Sequence, residues 1–141
     1  MNAWKKAVSL VLLSLLAFAL LCACDAKEEA PEDMLGNWYD PIRPRVAMTV
    51  TRTEDGDQVN IRWSDSAYQS YEWRFLGHYE DGRLVSDNCQ KSLVTYTSET
   101  EFTEEILYQN GEAALYFDED GKLCWYDGKE NAGVDCRFQK N

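Results

Sequence analysis

The chain reads as all-β: an antiparallel meander of about eight or nine strands that closes into a barrel or half-barrel. Three observations lead there. Five turn dipeptides, Asp55-Gly56, Asp81-Gly82, Asn110-Gly111, Asp120-Gly121 and Asp127-Gly128, punctuate residues 35–141. Tight hairpins need positive φ, which Gly accepts and Asn or Asp tolerates. Between these turns, short runs rich in Val, Ile, Thr and aromatic residues alternate apolar with polar. No helical period competes with them.

The first element is a signal. Lys5 and Lys6 form a positive start, and Ala7 to Ala23 then carries no charge. That run has the length of a signal-peptide apolar region and is short for a membrane span. It ends in Leu21-Cys22-Ala23-Cys24. This tetrad resembles the lipobox of bacterial lipoproteins: Leu at −3, a small residue at −1, then the modified cysteine. The resemblance implies removal of residues 1–23 and acylation of Cys24. Its acyl chains would then give lasting attachment to the membrane. Asp25 resembles the inner-membrane retention signal of enteric lipoproteins. The expected address is the extracytoplasmic face of the cell membrane.

Residues 24–34 follow as an acidic tether. Glu28, Glu29, Glu32, Asp33 and Pro31 leave almost nothing apolar to bury, so the segment is expected to be flexible and extended. Residues 35–141 have the length of one domain.

The expected strands lie near 36–40, 45–53, 58–64, 70–79, 83–87, 91–97, 102–109, 112–118, 122–126 and 134–139, with some merging. An Asp55-Gly56 loop pairs Val50 with Ile61 and Met48 with Trp63. Val46, Met48, Val50, Val59, Ile61 and Trp63 then share a face. An Asn110-Gly111 hairpin pairs Ile106 with Leu115. At Asp120-Gly121 a three-residue loop, Glu119 to Gly121, sets Phe117 opposite Leu123 and Leu115 opposite Trp125. That register turns Cys124 outward. Cys136 alternates with Val134 and Phe138 and is expected inside. Tyr71, Trp73, Phe75, Gly77 and Tyr79 form the richest inner row, where Gly77 marks a bend or bulge.

Gly36-Asn37-Trp38 opens the domain. G-x-W at the first strand resembles the lipocalin and wider calycin pattern, and the whole chain resembles small lipocalin-like bacterial lipoproteins. The resemblance implies that Trp38 closes one barrel end near an arginine of the last strand, the place of Arg137. The chain is shorter than true lipocalins and shows no helix before its last strand.

Charge narrows the partners. The whole chain carries −11, and loss of Lys5 and Lys6 makes it −13. That field argues against nucleic acid and favours cationic partners. After the signal three cysteines remain, Cys89, Cys124 and Cys136, with no metal-binding spacing among them. Asp118-Glu119-Asp120-Gly121 is better explained as a hairpin turn than as a calcium loop. His78 is the lone histidine, outward-facing beside Arg74 and Leu76. No catalytic set, metal or cofactor is expected. The aromatic excess is the stronger signal: Trp63, Trp73, Phe75 and Trp125 are candidate ligand or core aromatics. Tyr96, Tyr116 and Tyr126 point outward. The resulting expectation is a lipid-tethered, non-catalytic domain that binds a small apolar molecule or a protein. The alternatives are an inhibitor of a cationic enzyme such as lysozyme, or an envelope hydrolase.

Overall fold

The structure, a computed structural model, describes residues 28–141. Cys24 and the signal segment lie outside the described residues. Eight strands follow in order: β1 (Gly36–Tyr39), β2 (Val46–Thr53), β3 (Gly56–Ser64), β4 (Gln69–Glu80), β5 (Arg83–Tyr96), β6 (Phe102–Phe117), β7 (Leu123–Asp127) and β8 (Gln139–Lys140). The sheet order is β7-β6-β5-β4-β3-β2-β1-β8, so β1 to β7 form the expected meander. β8 returns beside β1. Reciprocal backbone hydrogen bonds of 3.1 and 2.9 Å between Leu123 and Phe138 join the two ends of the sheet. The result is a nearly closed barrel, which removes most of the free edges a flat sheet would leave.

Parity sets the faces of the first hairpin. Val46, Met48, Val50, Val59 and Ile61 are buried inside, while Thr51, Gln58 and Arg62 are exposed. The register differs from expectation by two residues: Val50 faces Val59 and Met48 faces Ile61. The loop is Glu54-Asp55, closed by the Thr53–Gly56 pair. Thr53 explains the choice, since its hydroxyl donates to the Gly56 carbonyl at 2.7 Å and accepts the Asp55 N–H at 3.3 Å. An even shift keeps every side chain on its face.

Two later turns match the reading. Asp81 (φ 50°) and Gly82 (φ 79°) form a two-residue left-handed loop between β4 and β5. Between β6 and β7, Phe117 faces Leu123 and Leu115 faces Trp125.

The Asn110-Gly111 hairpin does not form. β6 runs unbroken through it, and β5 likewise fuses the expected strands 83–87 and 91–97. Asn110 (φ 56°) and Gly111 instead make a bulge opposite Cys89. A straight strand of 16 residues would span roughly 50 Å. Bulges coil it around the barrel instead, and further register shifts fall between Ser86 and Cys89 and at Leu107. Asn88 fills the gap in its own bulge: its amide accepts the Leu76 N–H at 3.0 Å and donates to the Leu76 carbonyl at 3.1 Å.

The expected strand 134–139 shrinks to Phe138 and β8. Val134 is exposed, whereas Cys136 is buried inside as expected. Residues 128–137 are an irregular connection pressed onto β7. A Cβ on Gly133 would lie 2.5 Å from the Trp125 carbonyl oxygen and 2.6 Å from its ring.

Residues 28–34, expected to belong to the free tether, are docked. Met34, in a short 3-10 turn (Glu32–Met34), is fully buried in the core and Ala30 nearly so. Arg52 is the reason. Its guanidinium pairs with Glu32, with Glu29 at 3.4 Å and with Asp57 at 3.2 Å, and donates to the Ala30 carbonyl. Asp57 accepts the Ala30 N–H at 3.2 Å. One cation thus pairs with two of the four acids that make this segment look unfoldable. Arg52→Ala is expected to release residues 28–34, read as fast amide exchange at Ala30 and new protease cleavage there. Unchanged protection at Ala30 would show that Met34 alone holds the segment.

Candidate functional site

Three groups of side chains on this barrel carry the chemistry open to it: a polar chain inside, a charged clamp at one mouth, and the outer surface.

Inside, β4 places Tyr71, Trp73 and Phe75 on one row, and β7 brings Trp125 against it. The Trp73 and Trp125 rings meet edge-on at 4.9 Å. Trp73 donates its Nε1–H to the Tyr108 hydroxyl at 2.9 Å, and Tyr108 donates to Asp127 Oδ1 at 2.9 Å. Asp127 also accepts the N–H groups of Lys129 and Ala132, so it anchors the 128–137 connection. Lys91 enters this core almost fully buried. Its Nζ lies 4.7 Å from the Tyr71 ring centre and 4.8 Å from that of Trp73, and it pairs with Glu130.

Burial raises the proton affinity of three groups in this interior. Burial, then hydrogen bonding to Asp127, pushes the Tyr108 phenol far above its ordinary value. Burial, then the Asp127 charge, raises the Cys89 thiol to about 12. Burial, then the Asp40 charge, raises Cys136 to about 11. The three cysteines among the described residues, Cys89, Cys124 and Cys136, are free and buried. A thiol held protonated is a poor nucleophile.

These raised values tie stability to pH. The unfolded chain releases thiol protons near 9, while the folded chain keeps them to about 11 and about 12. Their contribution is complete below pH 9 and is lost progressively as pH rises through 9 to 12. The urea midpoint is expected to fall between pH 8 and pH 11. The fall should be shallower in a Cys89→Ala/Cys136→Ala variant, and equal slopes would contradict this account.

At the mouth near the β2–β3 hairpin, Glu28, Glu29, Arg52, Asp57 and His78 line a cleft of about 260 Å³. Among the described residues, no group of three His, Cys, Asp or Glu side chains is placed to hold a metal ion.

The expected barrel-closing pair separates. Trp38 is buried, donates to the Met34 carbonyl at 3.0 Å and packs on Phe117 at 6.0 Å. The cation over its ring, however, is Lys140, at 5.5 Å. Arg137 points outward to Asp118 at 3.5 Å, because the irregular 128–137 segment delays strand pairing until Phe138. Its backbone N–H is instead used inside the fold, bonded to the buried Asp40 carboxylate. Burial works against that charge, yet the N–H groups of Ile42, Arg137 and Arg43 outweigh it and lower the Asp40 pKa.

Of the candidate ligand or core aromatics, Trp73, Phe75 and Trp125 are buried in the common core and Trp63 is half-buried against it. Outside, Tyr96 stacks with Arg62 and Tyr116 with Arg83, each at 5.1 Å. Tyr126 is exposed, as are Phe102, Ile106 and Leu107 of β6. His78 is exposed on the outer face and pairs with Glu80 at 3.0 Å.

Lys91, Tyr108, Asp127 and Arg52 were not singled out by the sequence. Arg52 and Asp57 were within reach, since parity from Val50 and Val59 places both on the inner face at the rim. Lys91 was not, because the bulge before it reverses its face.

Fold and interior define the class: a small antiparallel β-barrel whose core is filled by its own side chains. No family model matches the chain, and none of the curated proteins or solved structures matches it.

Proposed function

We propose that the chain is a bacterial lipoprotein, anchored through acylated Cys24 at the extracytoplasmic face of the cell membrane, whose barrel is a non-catalytic docking module for a cationic protein. The filled interior carries this reading. Met34, Trp38, Trp73, Leu115, Trp125 and Phe138 occupy the space in which a barrel would hold an apolar molecule. The outer surface, with the acids of a mature chain at −13, is what remains to recognise a partner. The lipocalin-like resemblance at Gly36-Asn37-Trp38 then concerns architecture and not a ligand cup.

Anchoring and docking fit together. Asp25, Ala26 and Lys27 alone separate Cys24 from the docked segment, a reach of roughly 10–14 Å. The mouth formed by the β2–β3 and β4–β5 hairpins would face the bilayer. The Ser64–Gln69 and Tyr96–Phe102 turns would face outward, toward a partner. An inhibitor of a cationic enzyme is a special case of the same arrangement.

Native mass spectrometry of the chain exported in its own type of envelope tests this. The expected mass is that of residues 24–141 plus acyl chains, with no further ligand. Cys24→Ala is expected to leave the membrane fraction. A reproducible extra small molecule, lost on denaturation, would overturn the docking reading. Retention of the Cys24→Ala chain on membranes would overturn the anchor.

A further inference from the structure

The barrel is not closed along its whole height. β7 pairs with β6 only over Ala113 to Phe117. Among the described residues, no strand pairs with the other side of β6 over 102–110. Phe102 to Ile106 pairs in unbroken register with Tyr96 to Ser92 of β5, before the irregularity at Leu107. Along this stretch the backbone N–H and C=O groups of every second residue point away from β5 and meet no strand among the described residues, and all five side chains are exposed.

Such an edge invites another strand, and proteins usually blunt it with charge or bulges. Here the blunting is selective. Phe102 is 57% exposed and Ile106 51%, both on the outer face, with Glu104 between them. Glu105 and Thr103 lie on the inner face. Glu104 shares Arg74 with Glu72, at 3.0 and 2.6 Å, so one guanidinium serves two carboxylates. Glu99, Glu101 and Glu105 have no ion pair among the described residues. A second copy of this chain would bring like charge against like charge, which is destabilising for directly opposed strand residues. The same carboxylates favour a cationic segment, so repulsion and attraction together set specificity.

We propose that the free edge of β6 from Phe102 to Ile106 receives an extended segment of a cationic partner protein as an added strand. This deepens the docking reading above and rests on it. Backbone hydrogen bonds would supply affinity and alternate side chains specificity. An antiparallel incoming segment has its chemistry prescribed residue by residue. It places an apolar side chain opposite Ile106, a Lys or Arg opposite Glu105 and another opposite Glu104. A Thr or Val then faces Thr103, and an aromatic or apolar residue faces Phe102.

The test uses the full exported chain in neutral-lipid vesicles and amide hydrogen exchange. The probe is a capped Val-Lys-Lys-Thr-Phe peptide flanked by glycines, beside a copy N-methylated at alternate amides. Intact lysozyme serves as a cationic protein probe. The expected result is exchange slowed roughly tenfold at 102–106 by the peptide, lost with the N-methylated copy and weakened severalfold by Glu105→Lys. Equal binding of the N-methylated copy would overturn strand addition in favour of charge attraction. Protection of 102–106 by chain concentration alone would overturn it in favour of self-pairing. Lysozyme protecting another face, with 102–106 untouched by the peptide, would remove the edge and leave the docking reading standing. Protection of no surface by either probe would remove both.

Discussion

Trp73→Ala is expected to be the most destabilising single change in the core, lowering stability by about 3–5 kcal/mol. Three losses coincide at that residue. Its ring is 2% exposed and packs edge-on with Trp125 and beside Tyr71. Its Nε1–H is the donor to Tyr108, whose hydroxyl in turn donates to Asp127. Its face is also one of the two on which the Lys91 ammonium rests. Against a typical total of about 5–15 kcal/mol for a domain, the alanine variant should sit near its unfolding threshold. Trp73→Phe separates the terms. It keeps most of the apolar ring and removes the indole donor, for which about 1–2 kcal/mol is expected. Urea denaturation followed by the fluorescence of the remaining tryptophans, Trp38, Trp63 and Trp125, measures both. Equal losses for Phe and Ala would mean that the hydrogen-bonded chain, and not packing, dominates.

How far the sequence reached follows from one physical fact: strand faces alternate with a period of two, and a bulge inverts them. Where no bulge intervenes, reading by parity succeeded. The three-residue loop at Glu119 to Gly121 placed Phe117 and Leu115 against Leu123 and Trp125. In the first hairpin a register error of two residues left every face correct. In β4 and β5, the turn at Asp81-Gly82 sets His78 opposite Val85, and the same count would set Gln90 opposite Trp73. The extra residue between Ser86 and Cys89 puts Lys91 there instead. Nothing in Asp87-Asn88 announces this locally, because the stabilising bond runs from Asn88 to Leu76, twelve residues away. Asn110-Gly111 fails for a related reason. The dipeptide supplies a left-handed residue, which a hairpin and a bulge both use, and the long pairing with β5 decides between them. The docked residues 28–34 were illegible from composition because Glu29 and Glu32 find their partner in Arg52 of β2, twenty residues or more along the chain.

Lys91 and Glu130 give the other large effect, and its asymmetry is the informative part. The Lys91 ammonium is buried among two aromatic faces and one carboxylate. Glu130 is half-exposed, with 45% of its side-chain surface accessible, and already hydrated in part. Removing the carboxylate by Glu130→Ala leaves the cation desolvated with only ring faces beside it. Breaking a fully buried pair in this way costs about 3–5 kcal/mol, and the exposure of Glu130 brings the expected loss to roughly half of that. Removing the cation is a different matter. Lys91→Met keeps the length of the side chain, fits an aromatic environment well and leaves behind a carboxylate that water can reach. Its expected change is within about 1 kcal/mol of zero, with stabilisation as acceptable as loss. The double variant should therefore resemble Lys91→Met rather than the sum of the two changes, the signature of coupled groups. Additive losses in a double-mutant cycle would show that Lys91 is held by the rings of Tyr71 and Trp73 alone. The ion pair to the 128–137 connection would then contribute nothing to closing the barrel.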